Sequence, residues 1–199
     1  MIGVIDIGIG NFKSVEKALN NFHVSIRRVS SPHDFEDVTK LIFPGVGSYS
    51  AGMRRLHLLE LVEPIKEYIN AGHSYLGICL GMQLLSSVGL EGGVTQGLGI
   101  LDAEVVKIKP ANNEPLPHIG WNQINHNGER LFSGIPKDAD FYFVHSFYMK
   151  LNEPMTSFSV DYGGPHTCFV EKNNVVGAQF HPEKSQKNGM EFIKNFLNA

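Results

Sequence analysis

Hydrophobic and polar residues alternate in two different ways along this chain, and the change falls near residue 94. Before it, short apolar runs alternate with stretches in which apolar residues recur at helical spacing, from a first strand near the N-terminus to MQLLSS at residues 82–87. The first helical stretch has an apolar face formed by Val15, Ala18, Leu19 and Phe22. This alternation predicts parallel βαβ units, with helices packed on both faces of an open sheet.

After residue 94 the apolar runs are rich in β-branched and aromatic residues, which predicts mostly antiparallel strands. Asn173 and Asn174 separate two of these runs and tolerate the positive φ of a tight hairpin turn. A closing helix is predicted by apolar residues at helical spacing, namely Met190, Ile193 and Leu197. The expected fold is α/β, an open and mostly parallel sheet flanked by helices with a β-rich antiparallel second half. We expect a single domain over residues 1–199.

Composition narrows the classes of function. Seventeen basic and twenty acidic side chains give a net charge of −3, so the chain has no basic footprint for nucleic acid. No apolar stretch approaches the roughly 20 residues that span a bilayer, and the N-terminus does not resemble a signal peptide. Two cysteines without a CxxC pair argue against a disulfide framework. We therefore expect a cytoplasmic protein that binds neither nucleic acid nor membrane.

One cysteine lies in a pattern that suggests chemistry. In LGICLGMQLL, residues 76–85, Cys79 stands between Gly77 and Gly81, which matches the GxSxG nucleophile elbow with sulfur in place of oxygen. Such an elbow presents its nucleophile at the start of a helix, where the helix dipole favours a thiolate. The alternative is a buried small hydrophobic residue, because cysteine is among the most buried residue types.

A thiol nucleophile needs a base, and QFHPEKS at residues 179–185 offers one. His181 follows a predicted strand, and Glu183 could fix the tautomer of its imidazole. The glycines of FPGVGS, residues 43–48, could turn backbone amides toward an oxyanion. Taken singly, these residues are also explained by a satisfied histidine, a solvated acid and an ordinary glycine turn.

Two other kinds of site are disfavoured. GIGN at residues 8–11 follows a strand, but Lys13 replaces the last glycine of the dinucleotide fingerprint, which leaves a tight turn with Asn11 as helix cap. Nine histidines occur without an HExxH or CxxC arrangement, so we expect no metal. We expect no cofactor either.

Together these stretches resemble the class I glutamine amidotransferases, in which a Cys, His, Glu triad hydrolyses glutamine and delivers ammonia to a synthase. More narrowly, PGVG at 44–47, PHIGWN at 117–122 and YFVHS at 142–146 resemble the glutaminase subunits of imidazole glycerol phosphate synthase. The matching stretches run in the family's order along nearly the whole chain.

The resemblance implies a role for particular residues. Cys79 corresponds to the nucleophile, His181 to its base and Glu183 to the residue that orients the base. The implied oxyanion hole is formed at Val46, Gly47 and Leu80. The residues implied to bind glutamine are Gln83, Glu91, His145, Ser146 and Phe147. Those implied at the partner interface or ammonia passage are Asn11, Trp121, Tyr142 and Lys184. Phe147 departs from the tyrosine common in the family, while backbone recognition of glutamine is expected to survive. No role is predicted for Cys168.

The resemblance also implies a partner. This would be a (β/α)₈ cyclase of the HisF type, which forms a heterodimer with the glutaminase and uses its ammonia to convert PRFAR to imidazole glycerol phosphate and AICAR. The implied regulation is a glutaminase that is nearly inactive until the cyclase binds ligand, with a peptide flip at Val46 and Gly47 as a candidate switch. The alternatives are an ammonia-supplying subunit of a related synthase such as one forming amidino sugars, a free cysteine hydrolase, and a non-catalytic binding protein.

Overall fold

A computed structural model of the chain describes residues 1–111, 114–128 and 130–199. The strands, in chain order, are β1 (Ile2–Ile5), β2 (Ile26–Val29), β3 (Lys40–Gly45), β4 (Ser74–Cys79), β5 (Ser86–Gly89), β6 (Thr95–Gln96), β7 (Leu101–Lys107), β8 (His118–Gln123), β9 (Asp140–His145), β10 (Phe147–Leu151), β11 (Thr156–Asp161), β12 (Pro165–Lys172) and β13 (Val175–Ala178). The α-helices are α1 (Phe12–Asn20), α2 (Tyr49–Leu58), α3 (Val62–Asn70), α4 (Leu80–Gln83) and α5 (Gln186–Asn198).

A seven-stranded sheet in the order β11, β12, β13, β4, β3, β1, β2 forms the centre of the fold. Its five strands from β13 to β2 are parallel, and β12 and β11 extend it in antiparallel pairing. A four-stranded sheet (β10, β7, β5, β6) and the antiparallel pair β8 and β9 complete the second half. The structure therefore confirms the expected fold class.

The central sheet is covered on both faces, as the βαβ pattern predicts. Successive residues of its strands alternate between two hydrophobic clusters: Leu41 and Phe43 belong to one and Ile42 to the other. The first cluster includes residues of α2, α3 and β7, and the second includes residues of α1, α5 and β9. Both faces of each central strand are thus buried, which explains why these strands read as continuous apolar runs.

One helix prediction needs correction, and a second is confirmed with a different buried face. The helix expected at residues 82–87 ends at Gln83, because the Ser86 hydroxyl donates to the Gln83 carbonyl at 2.8 Å and the chain turns into β5. The closing helix is present, but its buried face is Gly189, Phe192, Ile193 and Phe196. Of the three residues that predicted it, Met190 and Leu197 lie only half-buried at the margins.

The predicted hairpin at Asn173 is present, with φ of +55° at Asn173 between β12 and β13. Within the described ranges, no helix is long and apolar enough to cross a membrane. In that same part of the chain, no three histidine, cysteine, aspartate or glutamate side chains group together in a way that could hold a metal ion.

Candidate active site

The elbow at Cys79 is a strained, crowded turn. Cys79 ends β4 with φ of +52° and ψ of −106°, a backbone conformation that a side chain rarely adopts. A Cβ at Gly77 would lie 2.4 Å from the carbonyl oxygen of Gly81, and one at Gly81 would lie 1.9 Å from that of Phe43. Both glycines of the GxCxG pattern are therefore required for β4 to pass directly into α4 beside β3.

Parallel pairing brings three distant segments to the same end of the sheet. Gly45 of β3 is the register partner of Cys79, and Ala178 of β13 is the partner of Ile78. The residues that follow β3 and β13 must therefore emerge on either side of the elbow. This is the carboxyl end of the strands, where open α/β sheets bind their ligands.

His181 and Glu183 form a buried pair next to the elbow. The Nδ1 of His181 lies 2.8 Å from Glu183 Oε1, and both side chains are at most 1% exposed. The opposite ring nitrogen, Nε2, has no hydrogen-bond partner within the described ranges. With Nδ1 hydrogen-bonded to the carboxylate, this second nitrogen is the one free to exchange a proton with a reacting group.

Asn11 does not act as the predicted helix cap. It occupies the N-cap position of α1, but its side chain makes no capping hydrogen bond. Instead, its Nδ2 donates to Glu183 Oε1 at 2.7 Å. The amide thus fixes the carboxylate that holds His181.

Charge in this cluster favours the ionised forms of both partners. Burial by itself lowers the pKa of His181, but Cys79 and the Glu183 carboxylate outweigh it and raise this pKa to about 10. Burial raises the pKa of Glu183, whereas the hydrogen bond and positive charge of His181 lower it, and the net direction is down. The imidazole is therefore arranged to hold a proton between the sulfur and the carboxylate.

Cys79 borders a cavity of about 250 Å³. Most of the residues that the sequence predicted around the substrate line it, namely Val46, Gly47, Gln83, Glu91, His145, Ser146 and Phe147. Pro117 and Val144 also line it and were missed, although both lie in or beside the stretches that carried the resemblance. Leu80 is 1% exposed and packs in the core, so its side chain contributes nothing to the cavity.

Two polar side chains of this cavity are held by the surrounding fold. Gln83 Nε2 donates to the Phe147 carbonyl at 2.9 Å and to Gln179 Oε1 at 3.0 Å. Glu91 Oε2 accepts the backbone N–H of Tyr49 at 2.7 Å, at the start of α2. No role was predicted for Gln179 or Tyr49. The available sequence signal for Gln179 was its position two residues before His181, in QFHPEKS.

Both ring nitrogens of His145 are engaged by neighbouring groups. Its Nδ1 lies 2.9 Å from the Phe147 carbonyl and its Nε2 lies 3.1 Å from His118 Nδ1. Burial lowers the pKa of His145 to about 3 and that of His118 to about 4, so both rings are neutral at pH 7. The pair supports the backbone at 145–147 and not proton transfer.

The residues predicted at the partner interface or ammonia passage separate into two groups. Asn11 binds Glu183, whereas Trp121, Tyr142 and Lys184 lie together: Lys184 Nζ is 5.6 Å from the Tyr142 ring centre, and the Trp121 ring is 5.9 Å from it. Tyr142 is also 6.5 Å from the His181 ring, and Trp121 is 46% exposed. This row of rings leads from His181 to the surface.

Comparison with known proteins agrees with this geometry. The family described as "Glutamine amidotransferase class-I" matches residues 3–199. Imidazole glycerol phosphate synthase subunit HisH of Desulfitobacterium hafniense is 43% identical over 198 residues, covering 98% of this chain and 93% of the relative. A subunit of the same description from Campylobacter jejuni is 40% identical over 199 residues, covering 99% of each chain.

The fold has solved counterparts too. A crystal structure described as a glutamine amidotransferase superposes with a TM-score of 0.78, at 18% identity, over 99% of this chain and 97% of the other. At that identity the likeness concerns the fold alone, and the sequence relatives carry the assignment. The match over nearly the full chain, together with the HisH relatives, shows that this chain belongs to the class I glutamine amidotransferase family, in its HisH branch.

Proposed function

We propose that this chain hydrolyses glutamine to glutamate and ammonia as the glutaminase subunit of an imidazole glycerol phosphate synthase, with Cys79, His181 and Glu183 as its catalytic triad. The observation that carries the proposal is the strained elbow at Cys79 beside a buried His181 and Glu183 pair, all at one end of the parallel sheet. This arrangement supplies a nucleophile, a base and a group that orients the base.

The reaction follows from these positions. The Cys79 thiolate attacks the side-chain amide carbon of glutamine, and its proton resides on His181 Nε2. His181 then protonates the departing nitrogen, the C–N bond breaks, and ammonia leaves a thioester on the sulfur. Water, deprotonated by His181, attacks the thioester, which releases glutamate and returns the proton to the Cys79 and His181 pair.

Substrate recognition uses the cavity lining. Glu91 keeps one carboxylate oxygen free of the Tyr49 amide and can bind the α-ammonium group of glutamine. Both Gln83 amide hydrogens are used inside the protein, so its Oε1 is available as a second acceptor for that group. Residues 145–147 line the same cavity, and the His145 ring bonds the Phe147 carbonyl, so in this proposal their backbone pairs with the amino acid head group without a tyrosine at position 147.

The oxyanion hole in this proposal is formed by backbone N–H groups at Val46, Gly47 and Leu80. Gly47 has φ of +122°, a backbone conformation that residues with a side chain rarely adopt. Glycine passes readily between this and other conformations, which supports a flip at Val46 and Gly47 as the switch that adds or removes an oxyanion donor.

The partner in this proposal is a HisF-type (β/α)₈ cyclase, which takes the ammonia for its reaction on PRFAR in histidine biosynthesis in the cytoplasm. The whole chain, residues 1–199, acts as one glutaminase domain. Exposed Trp121 provides an aromatic anchor of the kind that dominates interface energies. Tyr142 and Lys184 lie between that surface and His181, where released ammonia would pass toward the partner.

Glutamate release tests the proposal. We expect little activity from the pure chain, strong stimulation by a HisF-type cyclase with its ribonucleotide ligand, and none from Cys79→Ser. Partner-independent hydrolysis would indicate a free hydrolase instead. If the cyclase did not stimulate glutamate release and a synthase of amidino sugars did, the assignment to histidine biosynthesis would be overturned and the proposed triad would stand.

A further inference from the structure

We propose that Gln179 is a positioning residue that donates a hydrogen bond to the Cys79 sulfur and, through its other amide atom, fixes the side chain of Gln83. The inference rests on the proposed role of Cys79 as nucleophile. Gln179 has no role in the proposed steps of Cys79, His181 and Glu183.

Gln179 is a polar residue in a buried position, where its amide group must be hydrogen-bonded. It is fully buried directly after β13, and its backbone N–H donates to the Cys168 carbonyl at 2.8 Å, which anchors the residue to β12. Its side chain reaches Cys79 Sγ at 3.5 Å on one side and Gln83 Nε2 at 3.0 Å on the other. A buried amide is tolerated when its groups are hydrogen-bonded, and these bonds lead to two residues of the proposed site.

The direction of each hydrogen bond follows from one backbone group. The Phe147 carbonyl can only accept, so the Gln83 atom at 2.9 Å from it is the NH₂ nitrogen. That nitrogen also faces Gln179, so the near atom of Gln179 is its oxygen. The remaining Gln179 group is then the NH₂, and it points at the sulfur. The backbone of β10 thus dictates that Cys79 receives a donor.

A donor at the sulfur acts in the same direction as His181, the titratable group that faces Cys79 and favours a thiolate when its imidazole is protonated. The Val144 carbonyl, 3.9 Å from Sγ, accepts from a thiol and so favours the protonated sulfur. The Gln179 N–H is satisfied best by a thiolate and so favours the reactive form. Because the same amide holds Gln83, it couples the state of the nucleophile to the orientation of the acceptor proposed for the substrate ammonium.

Alkylation of Cys79 by iodoacetamide tests this without glutamine or a partner. The thiolate displaces iodide and forms a thioether, and mass mapping of the Cys79 peptide gives the rate as a function of pH. We expect Gln179→Met to react roughly tenfold more slowly at pH 7, as befits loss of one hydrogen bond to a charged group. At alkaline pH, where the thiolate predominates in both proteins, the rates should converge to within about twofold.

Two further variants separate this effect from damage to the fold. Asn195→Leu removes another amide that anchors backbone carbonyls, those of Leu131 and Ser133, outside the cavity, and should leave the rate within about twofold of wild type. Gln179→Glu keeps the size and the acceptor for Gln83 but replaces the donor with an oxygen. It should slow alkylation at pH 7 at least as much as Gln179→Met.

The rates of the two Gln179 variants at different pH values distinguish thiolate stabilisation from a loss of access to Cys79. An unchanged rate at pH 7 in either Gln179 variant, or an equal slowing at all pH values, would overturn the proposal, since the second result reports lost access and not thiolate stabilisation. If the Gln179 variants slow alkylation as expected while the wild-type chain hydrolyses no glutamine, the contact stands and the proposed function fails. With glutamine as substrate, Gln179→Glu should lower kcat more than it raises KM.

Discussion

The crowding at Gly81 gives a quantitative test of the elbow. In Gly81→Ala the new Cβ would stand 1.9 Å from the Phe43 carbonyl oxygen, whereas ordinary contact begins near 3.4 Å. The conflict is with the backbone of β3, which has parallel strands on both sides and cannot turn aside as a side chain can. The strand and the α4 turn must therefore separate by about 1.5 Å.

Such a separation disturbs the packing of β3, β4 and α4. The loss of stability should therefore lie at or above the upper end of the usual range for an overpacked core. We expect a loss of about 3 kcal/mol or more in the free energy of unfolding. For a chain of this length the midpoint temperature would fall by about 6–12 °C. Urea unfolding followed by far-UV circular dichroism measures the first quantity, and a thermal scan measures the second.

A matched control is available on α2. In Gly52→Ala the new methyl group meets the Leu80 Cδ2 and Leu84 Cδ1 atoms at 3.1 Å, and these are the ends of flexible side chains around the same α4 turn. Alanine also favours a helix over glycine by about 1 kcal/mol, so this variant should lose less than about 1 kcal/mol. Equal stability of the two variants, or a Gly81→Ala loss below about 1 kcal/mol, would refute the steric account of the elbow.

The buried histidine pair, the Asn11 contact and the exposed Trp121 can each be tested by one substitution. The pKa values of His118 and His145 are depressed to about 4 and about 3, so the folded state binds fewer protons than the unfolded state below pH 6.5. The free energy of unfolding should therefore fall on acidification, by at most about 2 kcal/mol per histidine between pH 7 and pH 5. His118→Gln should remove about half of that loss, and a dependence of unfolding free energy on pH identical to that of wild type would contradict the prediction. Asn11→Ala removes the 2.7 Å hydrogen bond to Glu183 and should slow Cys79 alkylation in the isolated chain at pH 7 by roughly tenfold. Asn21→Ala, which removes the amide that bonds the carbonyls of Lys17 and Ala18, should not slow it, and equal rates in the two variants would argue against a role for the contact. Trp121→Ala should leave the unfolding free energy within about 1 kcal/mol of wild type, because the side chain is half exposed, yet weaken cyclase binding by roughly tenfold or more in a titration of stimulated glutaminase; unaltered binding would place the interface elsewhere.

The sequence was most informative where local chemistry decides the structure. Runs of apolar residues fixed the parallel strands because both faces of the sheet are buried, and the GxCxG spacing predicted the elbow because no side chain fits at Gly77 or Gly81. His181 and Glu183 could be placed beside Cys79 because the ends of neighbouring parallel strands share one edge.

Features that depend on distant contacts could not be predicted in this way. Asn11 and Glu183 are 172 residues apart in sequence, and only the folded chain brings the amide to the carboxylate in place of a helix cap. The donor at Cys79 depends on a carbonyl of Phe147, which belongs to another strand. The early end of α4 at Gln83 was also not predicted, although its cause is local: the Ser86 hydroxyl bonds the Gln83 carbonyl where the apolar spacing suggested that the helix continues.

Identifying the nucleophile tests most directly whether Cys79, His181 and Glu183 hydrolyse glutamine. The chain, in complex with a HisF-type cyclase and its ligand, should be treated with 6-diazo-5-oxo-norleucine, a glutamine analogue that alkylates amidotransferase nucleophiles, and mapped by peptide mass spectrometry. We expect one adduct, on Cys79, that excess glutamine suppresses and that is absent from Cys79→Ser. An adduct on Cys168, or glutamine hydrolysis that persists in Cys79→Ser, would contradict this expectation.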